Sequence, residues 1–148
     1  MRRPWILVLV WMALMSYLST DSFAVSWSER MLRFWAASLH FSISAHDLQI
    51  ANLVLRKFAH LFEFFVLGRL LYRALEVNAP IPYTAMGQAL LLGLAFAMLD
   101  ELHQAFTRTR GASFVDVGWD LAGVLSSQLL VFCVRIPRNM KERTESNL

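Results

Sequence analysis

Two long apolar segments, Tyr83–Leu99 and Phe114–Val134, constrain this chain more than any other feature of its sequence. A helix rises ~1.5 Å per residue, so about 20 apolar residues are needed to cross a hydrocarbon core of ~30 Å. Two further apolar stretches, Trp5–Leu18 and Phe58–Leu75, extend the pattern, although the first is short. The sequence therefore predicts an all-α polytopic membrane protein with four transmembrane helices, near residues 4–20, 56–76, 83–101 and 114–135.

The composition supports this prediction and limits the partners. Hydrophobic residues make up 57% of the chain and charged residues only 17%, which is too apolar for an ordinary soluble domain of 148 residues. We expect a single membrane domain over residues 1–148 that ends in a polar, unstructured cytoplasmic tail at 138–148. Basic residues flank the apolar runs, which indicates membrane lipids as partners and no nucleic acid. The lone Cys133 excludes a disulfide framework.

Residues 25–46 form an amphipathic stretch between the first two predicted spans. Trp27, Met31, Phe34 and Trp35 share one helical face, so we expect a short interfacial helix there. A helix packed on the other helices is the alternative. The run before it also permits a second interpretation, a signal peptide cleaved after Ala24.

The distribution of basic residues predicts the orientation. With the N-terminus inside, eight basic residues fall on the cytoplasmic side and six on the outer side. The density of basic residues in the tail favours the same arrangement. We therefore expect a multi-pass protein of the inner (cytoplasmic) membrane with both termini in the cytoplasm.

Ionisable residues recur inside the predicted spans, where each costs ~2.5–3.5 kcal/mol to insert. They lie near the start of the second span, the end of the third and the start of the fourth, and these three places share one membrane face in a four-span chain. Such grouping predicts a polar pocket near the outer surface. The candidate catalytic residues are His60, Glu63, His103 and Asp120, and the candidate ligand-binding residues are Lys57, Asp100, Glu101, Gln104, Arg108, Arg110 and Asp116.

These residues also have structural explanations. Lys57 can extend its ammonium to the interface, Asp100 and Glu101 can simply end the third span, and Arg108 and Arg110 can pair with aspartates. Small residues recur at every fourth position in Gly118, Ala122 and Ser126, which predicts a ridge for close helix packing in lipid.

The motifs that carry these residues resemble those of the VanZ-like family. The first motif has Lys57, His60 three residues later, then Glu63, an aromatic residue and Leu67-Gly68. The second comprises Asp100-Glu101-Leu102-His103-Gln104, then Arg110-Gly111-Ala112-Ser113-Phe114-Val115-Asp116, with Asp120 and Gly123 following at the expected intervals. Asp120 stands where the family more often has asparagine, and Phe64 where it often has tyrosine.

The resemblance implies a small integral membrane protein of the cell envelope and a link to resistance against the glycopeptide teicoplanin. It brings no established mechanism, and a shared fold does not by itself transfer a phenotype.

Three functions are compatible with the sequence. The first is binding or modification of a lipid-linked envelope precursor or a lipid headgroup, with the arginines on a phosphate and the carboxylates on hydroxyl or ammonium groups. The second is a non-catalytic accessory or scaffold protein whose polar residues form a structural network. The third is a membrane zinc hydrolase with His60, His103, Asp116 and Asp120 as ligands. The expectation is no metal and no cofactor, and whether the protein is an enzyme stays open.

Overall fold

The computed structural model describes residues 3–18, 21–40, 44–79, 81–105 and 113–145. Within these residues the chain forms five helices and no strand, so the all-α prediction is confirmed. The helices are α1 (Arg3–Leu18), α2 (Asp21–Ser38), α3 (Ala45–Leu75), α4 (Pro82–Ala105) and α5 (Phe114–Glu145).

Local sequence accounts for the ends of the central helices. Ser44 caps α3, because its hydroxyl oxygen accepts a hydrogen bond from the Asp47 backbone N–H at 3.1 Å. No proline or helix-breaking turn follows in α3, which continues for 31 residues. Pro82 is the first residue of α4, a position where its missing N–H costs nothing.

The core of the fold is a three-helix arrangement of α3, α4 and α5. Contacts between α3 and α5 advance in the same direction along both helices, from His60 with Asp120 to Gly68 with Gln128, so these two helices run parallel. Contacts between α3 and α4 advance in opposite directions, from Arg56 with Gln104 to Phe64 with Phe96, so α4 is antiparallel to α3. Trp11 of α1 joins this core by donating its indole N–H to the Glu63 carbonyl at 3.0 Å.

Glycine permits the closest helix contact. A Cβ on Gly123 would collide with the Leu61 carbonyl oxygen and lie 3.0 Å from the Phe65 backbone nitrogen. The predicted ridge of Gly118, Ala122 and Ser126 is wrong, because Gly118 has no atom within 4 Å of a Cβ position and Ser126 is exposed. The residues of α5 that face α3 include Gly123 and Ser127, each one position after the predicted Ala122 and Ser126.

The outer surface carries many large apolar side chains, while several polar side chains are buried in the bundle. Leu9, Leu91 and Leu129 are 62%, 68% and 62% exposed, whereas Gln104 and Asp120 are completely buried. Apolar outer surfaces with polar groups inside are typical of helices surrounded by lipid.

Two of the helices have the length and composition of membrane spans. They are α4 (Pro82–Ala105) and the Phe114–Val134 part of α5, and only a third of each apolar window is buried. The prediction of four spans is not confirmed, because α1 is apolar but short and α3 carries charged side chains along the segment that was expected to cross.

The predicted helix between the first two spans is present as α2, although it starts earlier and ends earlier than the amphipathic stretch suggested. Its described aromatic residues Phe34 and Trp35 are exposed and lie edge to face, with ring centroids 6.0 Å apart. The expectation of an unstructured tail is wrong for residues 138–145, because α5 continues through Pro137 to Glu145.

Candidate functional site

The polar residues of the bundle lie in successive layers. These layers are near the C-terminal end of α4 and the N-terminal end of α5, the two ends that residues 106–113 connect. Successive layers are four residues apart on α3 and on α4, and about four residues apart on α5. The residue numbers rise from layer to layer on α3 and α5 and fall on α4, because α4 is antiparallel to the other two helices. We call the layers the cation layer (Arg56, Lys57, Gln104, Asp116), the histidine layer (His60, Asp100, Asp120) and the aromatic layer (Phe64, Phe96, Gly123).

The histidine layer brings three helices to one point. The His60 Nδ1 atom lies 3.1 Å from Asp120 Oδ1, a hydrogen bond between nearly buried side chains. One ring nitrogen of His60, one carboxylate oxygen of Asp100 and one of Asp120 all lie within 4.8 Å of one another. An imidazole and two carboxylates at this separation have the right donor types to hold a divalent metal ion.

The cation layer covers the histidine layer on the side nearer the α4–α5 connection. The Lys57 ammonium forms an ion pair with the Asp116 carboxylate, and an Arg56 guanidinium nitrogen lies 4.0 Å from the same group. Arg56 also donates to the Gln104 amide oxygen at 3.2 Å. Lys57 and Arg56 therefore balance the negative charge of Asp116 in the first turn of α5, and Arg56 also holds the Gln104 side chain in place.

Gln104 links the two layers. It is completely buried, and its amide nitrogen donates to Asp100 Oδ2 at 2.7 Å. Because its oxygen accepts from Arg56 and its nitrogen donates to Asp100, the side chain orients one carboxylate of the histidine layer. Outer partners of this kind hold ligating carboxylates in place in metal and binding sites.

Glu101 lies between the bundle interior and an apolar cavity. Its Oε1 atom accepts a hydrogen bond from the Ser113 backbone N–H at 2.5 Å, which joins the end of α4 to the start of α5. Its Oε2 atom is buried and has no hydrogen-bond partner among the described residues. The cavity has a volume of about 280 Å³ and is lined by Met98, Glu101, Leu102, Ala105, Ser113, Phe114 and Val117.

Most of the residues selected from the sequence converge, but not all. His60, Asp100 and Asp120 meet directly, and Lys57, Gln104, Asp116 and Glu101 surround them. Glu63 is half-buried on α3, three residues after His60, and its carboxylate acts electrostatically on the imidazole.

His103 differs from the expectation. It is exposed, while its neighbour Gln104 is buried, so the helical rotation of ~100° per residue directs His103 away from the layers. The structure therefore does not bring His60, His103, Asp116 and Asp120 together as one metal set, and Asp100 occupies the place expected for the second histidine. Arg108 and Arg110 lie outside the described residues.

Sequence reasoning missed two buried polar residues deeper in the bundle. Gln128 donates its amide to the Gly68 carbonyl oxygen and to Ser127 Oγ, both at 3.0 Å. A signal was available, since an amide within an apolar run in lipid requires a partner just as a charge does. Both residues lie on the α5 face that carries Asp120, about two turns further along, which identifies that face as the interior one.

The fold and the site define a helical membrane protein with a buried polar cluster at one end of its central helices. The VanZ/LLP1 family profile matches residues 4–135, which is most of the chain, and the protein belongs to this family. Comparison with curated proteins and with solved structures gives no match.

Proposed function

We propose that this protein binds an amphiphilic molecule of the cell envelope, a lipid-linked precursor or a lipid, whose polar headgroup enters the histidine layer. The observation that carries the proposal is the convergence of His60, Asp100 and Asp120 from three helices. Burying ionisable groups in a membrane protein is costly. Neutral polar side chains could hold the helices together at a lower cost, so the ionisable groups indicate a ligand.

The carboxylates indicate the kind of headgroup. An ionised carboxylate can accept hydrogen bonds but cannot donate them, so it binds donor groups such as hydroxyl or ammonium. Two carboxylate oxygens, Asp120 Oδ2 and Glu101 Oε2, are buried and have no partner among the described residues. Both therefore have capacity to accept a hydrogen bond from a headgroup.

The cavity beside Glu101 supports the lipid half of the proposal. Apart from Glu101 and Ser113, its lining is apolar and comes from the end of α4 and the start of α5. A volume of about 280 Å³ accommodates roughly ten methylene groups at the ~27–30 Å³ that a small group occupies in a liquid. The part of an acyl or prenyl chain next to the headgroup fits this cavity, and the headgroup would then lie close to Glu101.

A headgroup series tests the proposal. The protein is placed in lipid nanodiscs, and its thermal midpoint is measured with dodecanol, dodecyl maltoside, dodecyl phosphate and dodecylamine at equal concentrations. A ligand that binds the folded state raises the midpoint, by about 2.7 kcal/mol of stability at 100 times its dissociation constant. We expect at least one headgroup, and not dodecanol, to raise the midpoint.

The matched variants are Asp120→Asn and His103→Gln. The first should abolish the headgroup-specific shift, and the second should keep it, because His103 is exposed outside the layers. Equal shifts for all four compounds, or an unchanged shift in Asp120→Asn, would contradict the proposal.

A structural network in an accessory or scaffold protein is the second candidate. It is favoured by the continuous hydrogen-bonded chain from Arg56 through Gln104 to Asp100, which needs no ligand to be satisfied. Under this alternative the headgroup series gives no specific shift, and every variant in the layers lowers the midpoint alike.

The link to teicoplanin resistance and a hydrolase activity are further proposals that rest on the family and on the residue types. Comparing the teicoplanin sensitivity of cells with and without the gene tests the first. Release of product from the amphiphile that shifts the midpoint tests the second.

A further inference from the structure

We propose that the histidine layer is a binding site for a divalent transition-metal ion, Zn²⁺ or Mn²⁺, held by His60, Asp100 and Asp120. This inference rests on the proposed function, because it assumes that the headgroup binds at the histidine layer. It adds phosphate-bearing headgroups to the hydroxyl and ammonium headgroups that the carboxylates alone would accept.

The geometry of the donors carries the first step. One atom from each of the three side chains lies within 4.8 Å of the other two, and the His60 and Asp120 atoms are 3.1 Å apart. Two ligands on one ion with bonds of ~2.1 Å lie roughly 3–3.5 Å apart. Small side-chain rotations therefore bring all three donors to coordination distance. One imidazole with two carboxylates is a mixed nitrogen and oxygen set, which suits Zn²⁺ or Mn²⁺ better than Ca²⁺.

An unpartnered ligand atom is the second and independent observation. Asp120 is completely buried, and its Oδ2 atom has no hydrogen-bond partner among the described residues. A buried carboxylate oxygen without a donor costs free energy unless a proton, a ligand or a cation satisfies it. The hydrogen bond from Gln104 to Asp100 holds the other carboxylate in the orientation of a ligand.

The carboxylates in and around the layer are also compatible with a bound cation. The described cations nearest the layer, Arg56 and Lys57, are engaged with Asp116 and Gln104 in the adjacent layer. The histidine layer itself then holds two carboxylates, with Glu101 and Glu63 close enough to act on it electrostatically. A divalent ion bound by these ligands would also interact favourably with the carboxylates around it. With three protein ligands it keeps open positions for phosphate oxygens, which the carboxylates alone would repel.

The test measures metal directly in the full-length protein. The chain is purified in detergent without chelator, its metal content is measured by mass spectrometry, and the stripped protein is titrated with Zn²⁺, Mn²⁺ and Mg²⁺. We expect one Zn²⁺ or Mn²⁺ per chain, with weaker binding of Mg²⁺. His60→Gln and Asp120→Asn should each weaken binding by about 100-fold or more, because they remove a ligand.

His103→Gln is the matched histidine control and should bind the ion as the wild type does, since His103 is exposed. Wild-type protein that binds neither Zn²⁺ nor Mn²⁺ at micromolar concentrations overturns the proposal. Binding that survives both ligand variants, or that is lost in His103→Gln, also overturns it. Where a variant loses helicity, X-ray absorption at the metal edge of the wild type decides: one imidazole with oxygen ligands supports the site, and no imidazole overturns it.

The headgroup series in the presence of a chelator separates this inference from the proposed function. If the wild type binds neither Zn²⁺ nor Mn²⁺ in the titration and a headgroup still raises the midpoint in chelator, the metal site is refuted and the amphiphile site stands. If the metal binds and no headgroup raises the midpoint, the amphiphile proposal fails alone.

Discussion

Replacing Gly123 by alanine should push α3 and α5 apart. The added Cβ would collide with the Leu61 carbonyl oxygen and would lie 3.0 Å from the Phe65 nitrogen and 3.1 Å from the Phe64 Cβ. Ordinary contacts of a Cβ begin near 3.4 Å. Two of the three atoms belong to the α3 backbone, which cannot rotate away as a side chain can. The helices must therefore separate, by on the order of 1 Å at the closest contact.

The expected cost follows from this displacement. Overpacking of a well-packed interior costs about 1–3 kcal/mol. For a chain of this length each kcal/mol lowers the thermal midpoint by ~2–4 °C, so we expect a drop of ~2–12 °C. The same separation acts on the site, because Asp120 lies one turn before Gly123. The 3.1 Å hydrogen bond from His60 to Asp120 would lengthen beyond hydrogen-bond range.

The matched control is Gly118→Ala, one and a half turns earlier on the same helix. A Cβ at position 118 meets nothing within 4 Å, so the substitution should leave the midpoint unchanged or raise it through the better helix propensity of alanine. Thermal unfolding of both variants in nanodiscs, followed by far-ultraviolet circular dichroism, compares them. Equal midpoints for Gly123→Ala and Gly118→Ala would refute the α3–α5 packing and the register that places the site.

Three further predictions follow from the layers and the charge pattern. Gln104→Leu should lower stability by ~2–3 kcal/mol, because it leaves Asp100 without its amide donor and Arg56 without its acceptor; urea or thermal unfolding that matches the wild type would contradict this. Lys57→Met should lower stability by ~2–3 kcal/mol, which is less than for a fully buried ion pair because both side chains keep some exposure. The loss should be smaller when Asp116→Asn is already present, and strictly additive losses of the two substitutions would exclude the coupling. A reporter fused to the C-terminus should be active in the cytoplasm, and one placed in the 108–113 segment should be active outside; an external C-terminus would refute the even number of spans.

Sequence reasoning recovered the helical class and the positions of the main helices because apolar runs and prolines act locally. The segment around Pro80 and Pro82 separates α3 from α4, and Phe114 begins α5 as the apolar pattern predicts. The number of spans did not follow as directly. Hydropathy is an average over a segment, and α3 combines apolar residues with Arg56, Lys57 and Arg69, so composition alone does not establish that it crosses.

The site could be predicted in its membership more than in its geometry. Grouping at one end of three helices followed from chain direction, which is why His60, Asp100 and Asp120 were all selected. The interior face of each helix depends on rotation about its axis, and one residue corresponds to ~100°. That step explains why His103 is exposed where Gln104 is buried, and why the close contact occurs at Gly123 and not along the Gly118 ridge.

Native mass spectrometry of the wild type and of Asp120→Asn, each purified from membranes in a mild detergent, tests the central claim most directly. Asparagine keeps the size of the side chain and an oxygen that can accept from His60, so the helices should stay assembled while the buried negative charge is removed. We predict an envelope amphiphile bound to the wild type in one defined mass and lost from Asp120→Asn at unchanged helicity. A wild-type chain that carries no such molecule, or a variant that retains it in full, would contradict the claim that the histidine layer is a ligand site.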